Sequence, residues 1–191
     1  MRYKILLALL GILTIPHTVP AKPAETRPST IPAFTWDESN EPKIDPFFTP
    51  ASLLKCSLDE IRKCKTMVLW GLKEKDRRAV FARIQQLPEL SELQLFGCDL
   101  SQLDQSDPLP AKVKTFVIAG GKVCQSTLRW LSKVPGETKV TFGGCDLRGM
   151  KFNFPERTWL KFDSCELSAP AATELVTRSE QVIFLECRLS E

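Results

Sequence analysis

Seven cysteines are the residues best suited to chemistry in this chain: Cys56, Cys64, Cys98, Cys124, Cys145, Cys165 and Cys187. A thiolate can ligate a metal or attack an electrophile. No two of them form a C-x-x-C pair, so a clustered zinc or iron–sulfur site is not indicated, and we expect neither metal nor cofactor. Cys98, Cys145, Cys165 and Cys187 share one sequence context, which reads as a column of buried small side chains with weak donors. If that column stacks at one strand spacing, roughly 5 Å, neighbouring sulfurs could approach each other. The expectation is nevertheless four buried free thiols. Cys56 and Cys64 are the candidate disulfide. One straight helix would hold them too far apart to bond, so the bond requires a break between Leu54 and Cys64. Cys124 has no partner in the pattern. It stands at a candidate helix start, where a thiol pKa is lowered, and reads either as a reactive thiol or as a buried inert one.

Other candidates are weaker. Ala119-Gly120-Gly121-Lys122 is not a phosphate loop, because Phe116 stands where the upstream glycine belongs and Val123 replaces the hydroxyl residue. Asp99, Asp146 and Glu166 follow their cysteines in register and read as cation ligands or as solvated turn acids. Arg62, Lys63, Lys65, Lys73, Lys75, Arg77 and Arg78 crowd one stretch, which suits an anionic partner or a solvated helix face. The formal net charge is only +3, so bulk attraction to nucleic acid is not implied.

The elements that position these residues begin after a leader. Arg2 and Lys4 precede an apolar run from Ile5 to Ile15, Pro16 breaks it, and Val19 and Ala21 suit cleavage after Ala21. Residues 1–21 therefore read as a signal peptide. The alternative is an uncleaved inner-membrane anchor, although the run is shorter than the roughly 20 residues a span needs. Cleavage removes His17, the only histidine. A mature chain without histidine cannot run a Ser-His-Asp or Cys-His mechanism, so we expect no enzyme. Neither Asn40 nor Asn153 sits in a glycosylation sequon, which favours the bacterial periplasm or a secreted bacterial protein.

Residues 22–50 hold Pro23, Pro28, Pro32, Pro42, Pro46 and Pro50 and read as a disordered tether. Phe34, Trp36, Phe47 and Phe48 could pin it to the folded part. Residues 51–65 read as an amino-terminal cap, with Ser57 three residues before Glu60 in a capping-box spacing. From residue 66 to residue 191 the chain repeats. Leu93-x-Leu95-x-x-Cys98-x-Leu100 returns from Val140 to Leu147, from Leu160 to Leu167 and from Val182 to Leu189. A degenerate copy runs from Phe116 to Val123, and a weaker first one from Met67 to Leu72. Apolar stripes at helical spacing precede alternate copies: Val80, Phe81, Ile84 and Leu87; Leu128, Leu131 and Val134; Ala171, Ala172, Leu175 and Val176. The crossovers at about 101–112 and 148–156 read as loops, since Pro108, Pro110 and Pro155 fall there.

The pattern L-x-x-L-x-L-x-x-C-x-L, matched at every anchor from Leu90 to Leu100, resembles the leucine-rich repeat family. The resemblance implies an α/β solenoid with a parallel sheet of about six strands, curved and open on one face. Within each strand, core positions alternate with outward ones. The outward set includes Trp70, Phe96, Val117, Trp159, Ile183 and Leu185, more large apolar residues than a solvated face favours. Two functions follow: a non-enzymatic binding protein that takes a protein or peptide partner on this face, or a structural, self-associating protein whose face is covered by its tether or by another copy. Export comes first in either case. We expect protein isolated from its native host to begin at Lys22. Intact-mass measurement reads this directly, and a soluble cytoplasmic protein that retains Met1 would refute it.

Overall fold

The computed structural model describes residues 46–103, 106–110, 112–179 and 181–191. The leader and most of the tether, Phe34 and Trp36 included, lie outside them. The remaining end of the tether is structured. Phe47 and Phe48 form β1 (Phe47–Phe48), and Pro50 opens α1 (Pro50–Lys55). The proline suits that place, because the first helical turn has no use for its missing N–H. Thr49 and Ser52 close a capping box on α1; Ser57 and Glu60 close another on α2 (Leu58–Ile61).

Seven parallel strands then make one sheet, and the fold is α/β. After β1 come β2 (Thr66–Trp70), β3 (Glu92–Phe96), β4 (Thr115–Ala119), β5 (Lys139–Gly143), β6 (Trp159–Asp163) and β8 (Val182–Leu185), each beside its predecessor. The short β7 (Glu166–Ser168) and β9 (Arg188–Ser190) pair with each other in a second ladder. The sheet has one strand more than the repeats alone suggest, because β1 lies outside the repeated pattern.

Register follows the alternation. Leu69, Leu95, Ile118, Phe142, Phe162 and Phe184 lie in one row across six strands. Their side chains face the helices. The Phe142, Phe162 and Phe184 rings stack at 5.5 and 5.2 Å. All but Phe184 are fully buried. Phe184, inward by the same alternation, is half-exposed because no strand of the described residues lies beyond β8.

Helices occupy alternate crossovers: α3 (Glu74–Ile84), α4 (Gln125–Leu131) and α5 (Ala169–Arg178). Val176, placed in the α5 stripe by spacing, is exposed at the helix's far side. Trp130, which the stripes omit, is the largest fully buried side chain. It packs on Phe81 at 5.2 Å and on Phe116 at 6.0 Å, and its indole N–H donates to the Asp107 carbonyl at 3.3 Å. Asp107 also holds Arg77 of α3, at 3.0 Å with both side chains buried. Arg77 is thus a core ion pair and not part of a solvated basic face. Breaking such a pair costs more than keeping it gains, since the survivor is left charged and dry.

Leu95 tests the register. Leu95→Ala should lower stability by about 2–5 kcal/mol, the range for deleting a buried leucine. Denaturant melts measure it. A loss below about 0.5 kcal/mol, the scale of a surface change, would contradict the burial described.

Candidate binding face

Every strand of the main sheet from β2 onward ends in the same turn. The next residue has positive φ: Gly71, Gly97, Gly120, Gly144, Ser164 and Glu186, all between 51° and 66°. Its N–H donates to the last carbonyl of the following strand, from Gly71 to Phe96, Gly97 to Ala119, Gly120 to Gly143, Gly144 to Asp163 and Ser164 to Leu185. One residue later comes the cysteine. Cys98, Cys145, Cys165 and Cys187 each donate S–H to a carbonyl one strand back, that of Leu69, Ile118, Phe142 and Phe162 at 3.4–3.7 Å. Burial pushes the Cys98 and Cys187 thiols up. The neighbouring Cys165 thiol and burial raise Cys145, and the neighbouring Cys145 thiol draws Cys165 down. At the third copy glycine replaces the cysteine for a steric reason: a Cβ on Gly121 would sit 2.3 Å from the Cys98 carbonyl oxygen.

The thiols thus serve the turn. Among the described residues no group of three or more His, Cys, Asp or Glu side chains could hold a metal ion. Cys56 and Cys64 are free in the structure, so the disulfide expected from the sequence is not formed. The required break is present between α1 and α2. Cys64 instead turns into the core and donates to the Thr66 carbonyl at 2.8 Å, and the Cys56 carbonyl accepts from Arg83. The turn acids have basic partners: Asp99 with Lys122, Asp146 with Arg148, and Glu166 with Arg148 and Arg188. Arg148 holds Asp146 down at about 2. Cys124 caps α4, half-buried, beside Ser126 at 3.0 Å and Thr127 at 3.7 Å. Burial raises it, but hydrogen bonds from Ser126 and Thr127 outweigh that and lower its pKa.

The regular turn fixes which side chains share the outward face. Trp70, Trp159, Ile183 and Leu185 are 48, 45, 48 and 41% exposed. They fall into two groups. Trp70 stacks on Phe96 at 4.9 Å with planes 18° apart, near the β1 edge. Phe47 pairs in register with Val68 there, and Val68, outward by parity, is buried. Trp159, Ile183 and Leu185 lie at the opposite edge, with the Lys139 ammonium 5.9 Å over the Trp159 ring. Between the groups are Val117, Ala119, Thr141 and Gly143, half-buried and mostly small. Gly143 is small for cause, since a Cβ would stand 3.3 Å from that of Ala119. The outward candidates therefore flank a shallow middle in place of one continuous patch. On the helical side, a cavity of about 380 Å³ lies between the loop after β5 and α5, lined by Phe152, Phe154, Leu160, Glu174, Leu175 and Arg178. No spacing pattern pointed to it, because its walls come from a loop and a helix apart in sequence.

No family model matches the chain, and no curated protein or solved structure matches it. No helix of the described residues is long and apolar enough to cross a membrane.

Thiol mapping separates the cysteine roles. Under native conditions Cys124 should alkylate well before Cys98, Cys145 and Cys165, which should react only on unfolding. Its folded pKa lies below the ordinary value, so ionisation favours the folded state. That contribution is present above the unfolded pKa and is lost as pH falls through the folded one. Labelling rates against pH should accordingly rise at lower pH in the native chain than in urea; coincident profiles would contradict the assignment.

Proposed function

We propose that this chain is an exported, non-enzymatic binding protein, a short leucine-rich-repeat-like solenoid whose outward sheet face takes a protein or peptide partner. The carrying observation is the set of four large apolar side chains, Trp70, Trp159, Ile183 and Leu185, each at least 41% exposed on the face of an otherwise well-buried sheet. Water does not select such residues, and their removal from it is the driving force a partner would use. The strand order and the repeated turn support the solenoid reading. From β2 to β8 the face spans five strand spacings, about 24 Å, which an extended peptide of about seven residues crosses. The Trp70–Phe96 stack and the Trp159–Ile183–Leu185 group then offer two anchor sites, and Val117, Ala119 and Gly143 admit the backbone between them. Aromatic anchors around a low middle are what hot spots of binding energy consist of.

A non-enzymatic role agrees with the loss of His17 on cleavage and with Cys124 standing outside the outward strand positions. A bacterial periplasmic or secreted location follows from the leader, with an inner-membrane anchor as the alternative if it is retained.

The test is a pull-down from the native compartment. Phe96→Ser with Ile183→Ser should weaken partner capture by at least about tenfold, since two apolar contacts of ~1 kcal/mol or more are removed. The melting curve should stay close to that of the parent, because neither side chain enters the core. Undiminished capture by a folded double variant would remove the face from the proposal.

A further inference from the structure

The two edges of the main sheet differ. At one, β1 is two residues long and stands between Pro46 and Pro50. Short strands and prolines are how natural sheets blunt an edge. At the other, β8 runs Val182-Ile183-Phe184-Leu185 with no charge and no proline. Its pairing to β6 sets its hydrogen-bond phase. The Leu160 N–H donates to the Gln181 carbonyl at 2.9 Å and the Ser164 N–H to that of Leu185 at 2.8 Å. Residues 181, 183 and 185 thus turn their backbone groups towards β6. Those of Val182 and Phe184 face away from the sheet, where no strand of the described residues pairs with them. The core is open at the same end. Leu189, in register with the fully buried Leu167, is 59% exposed, and Val182, Phe184 and Cys187 are half-buried.

We infer that β8 is a docking edge for a second copy of this chain, whose own β8 pairs with it antiparallel about a two-fold axis at Ile183. In that register Val182 lies opposite Phe184 of the second copy, and the reverse. These are narrow pairs, each exchanging two hydrogen bonds, so four bonds satisfy every outward-turned group on both strands. A slip of one residue would set outward side chains against inward ones. Centring on Phe184 would set Val182 against Glu186, where the chain turns away at φ 51°. At Ile183 like meets like on the outward face. On the core side Val182 and Phe184 interleave and carry the phenylalanine stack across the junction.

Charge permits this pairing, since β8 sets no like charges against each other across the axis. Area limits it. A four-residue edge with few side chains sits at the small end of specific interfaces, below about 1,200 Å² in total, so the association is reversible and on the order of micromolar. A closed two-fold pair also leaves only the blunted β1 edges of the main sheet outside, so pairing of that sheet stops at two copies.

The inference does not depend on the partner reading. Val182→Pro separates the two, because it removes an edge N–H and alters no outward side chain. Sedimentation equilibrium of the native chain from about 1 to 200 µM should show reversible dimers. Val182→Pro and Ile183→Lys should each weaken them by at least about tenfold. Trp70→Lys should leave them intact, and amides 182 and 184 should exchange more slowly at high concentration. If Val182→Pro fails to fold, Ile183→Lys and amide exchange decide alone. A chain monomeric throughout, dimers that survive the edge variants, or dimers dissolved by Trp70→Lys would each overturn the inference.

Discussion

One backbone conformation, repeated six times, organises this molecule. Each strand of the main sheet from β2 onward runs into a residue with φ near +60°. That residue donates its N–H to the end of the next strand, and the chain then bends inward and buries the following side chain. The bend brings carbonyls into the core, and buried carbonyls must find donors. Cysteine answers this need with a small apolar body and one weak S–H. The four thiols of the turn column therefore belong to the hydrogen-bond accounting of the fold. Glycine is the natural residue at the positive-φ site. Ser164 and Glu186 hold it without that freedom, at a cost in backbone strain.

The repeat was legible in the sequence because this turn needs the same residues each time. Cys98, Cys145, Cys165 and Cys187 mark it, and the alternation before each gives strand, register and inward face. What escaped the reading arises from contacts between distant segments. Trp130 is central to the core, yet its neighbours Phe81 and Phe116 come from other repeats. Arg77 looked like one more cation in a basic run until Asp107, about thirty residues away in the chain, proved to be its buried partner. Gly121 broke the cysteine column for a reason visible only in three dimensions, the approach of the Cys98 carbonyl. β1 was hidden by its prolines, which argue against a strand everywhere except at an edge. The expected Cys56–Cys64 bond rested on order along the chain, which places a break between them but not the direction of the two sulfurs.

The outward face was partly legible for the same reason. Period-two alternation matches the burial along β3 to β6, whereas Val68 of β2, outward by parity, is buried. It could not show that Trp70 stacks on Phe96, nor that Ala119 and Gly143 lower the middle of the sheet. Those facts depend on the neighbour across the ladder, and they turn a set of apolar residues into two anchors with a gap between them.

The same turn explains why the face is available at all. Because each bend points its cysteine and the following leucine to one side, the helices and loops of every crossover gather on that side. The opposite surface is left with nothing of its own to cover it among the described residues after residue 65. A sheet surface in this position is commonly alternating and polar when it meets water alone. Here the middle holds Gln94, Thr141 and Lys161 beside Val117, Ala119 and Gly143, whereas the flanks carry the large apolar residues. A surface with large apolar residues at two separated places is the arrangement that the proposed partner would need. The uneven distribution argues for a partner of defined geometry more strongly than the apolar content does.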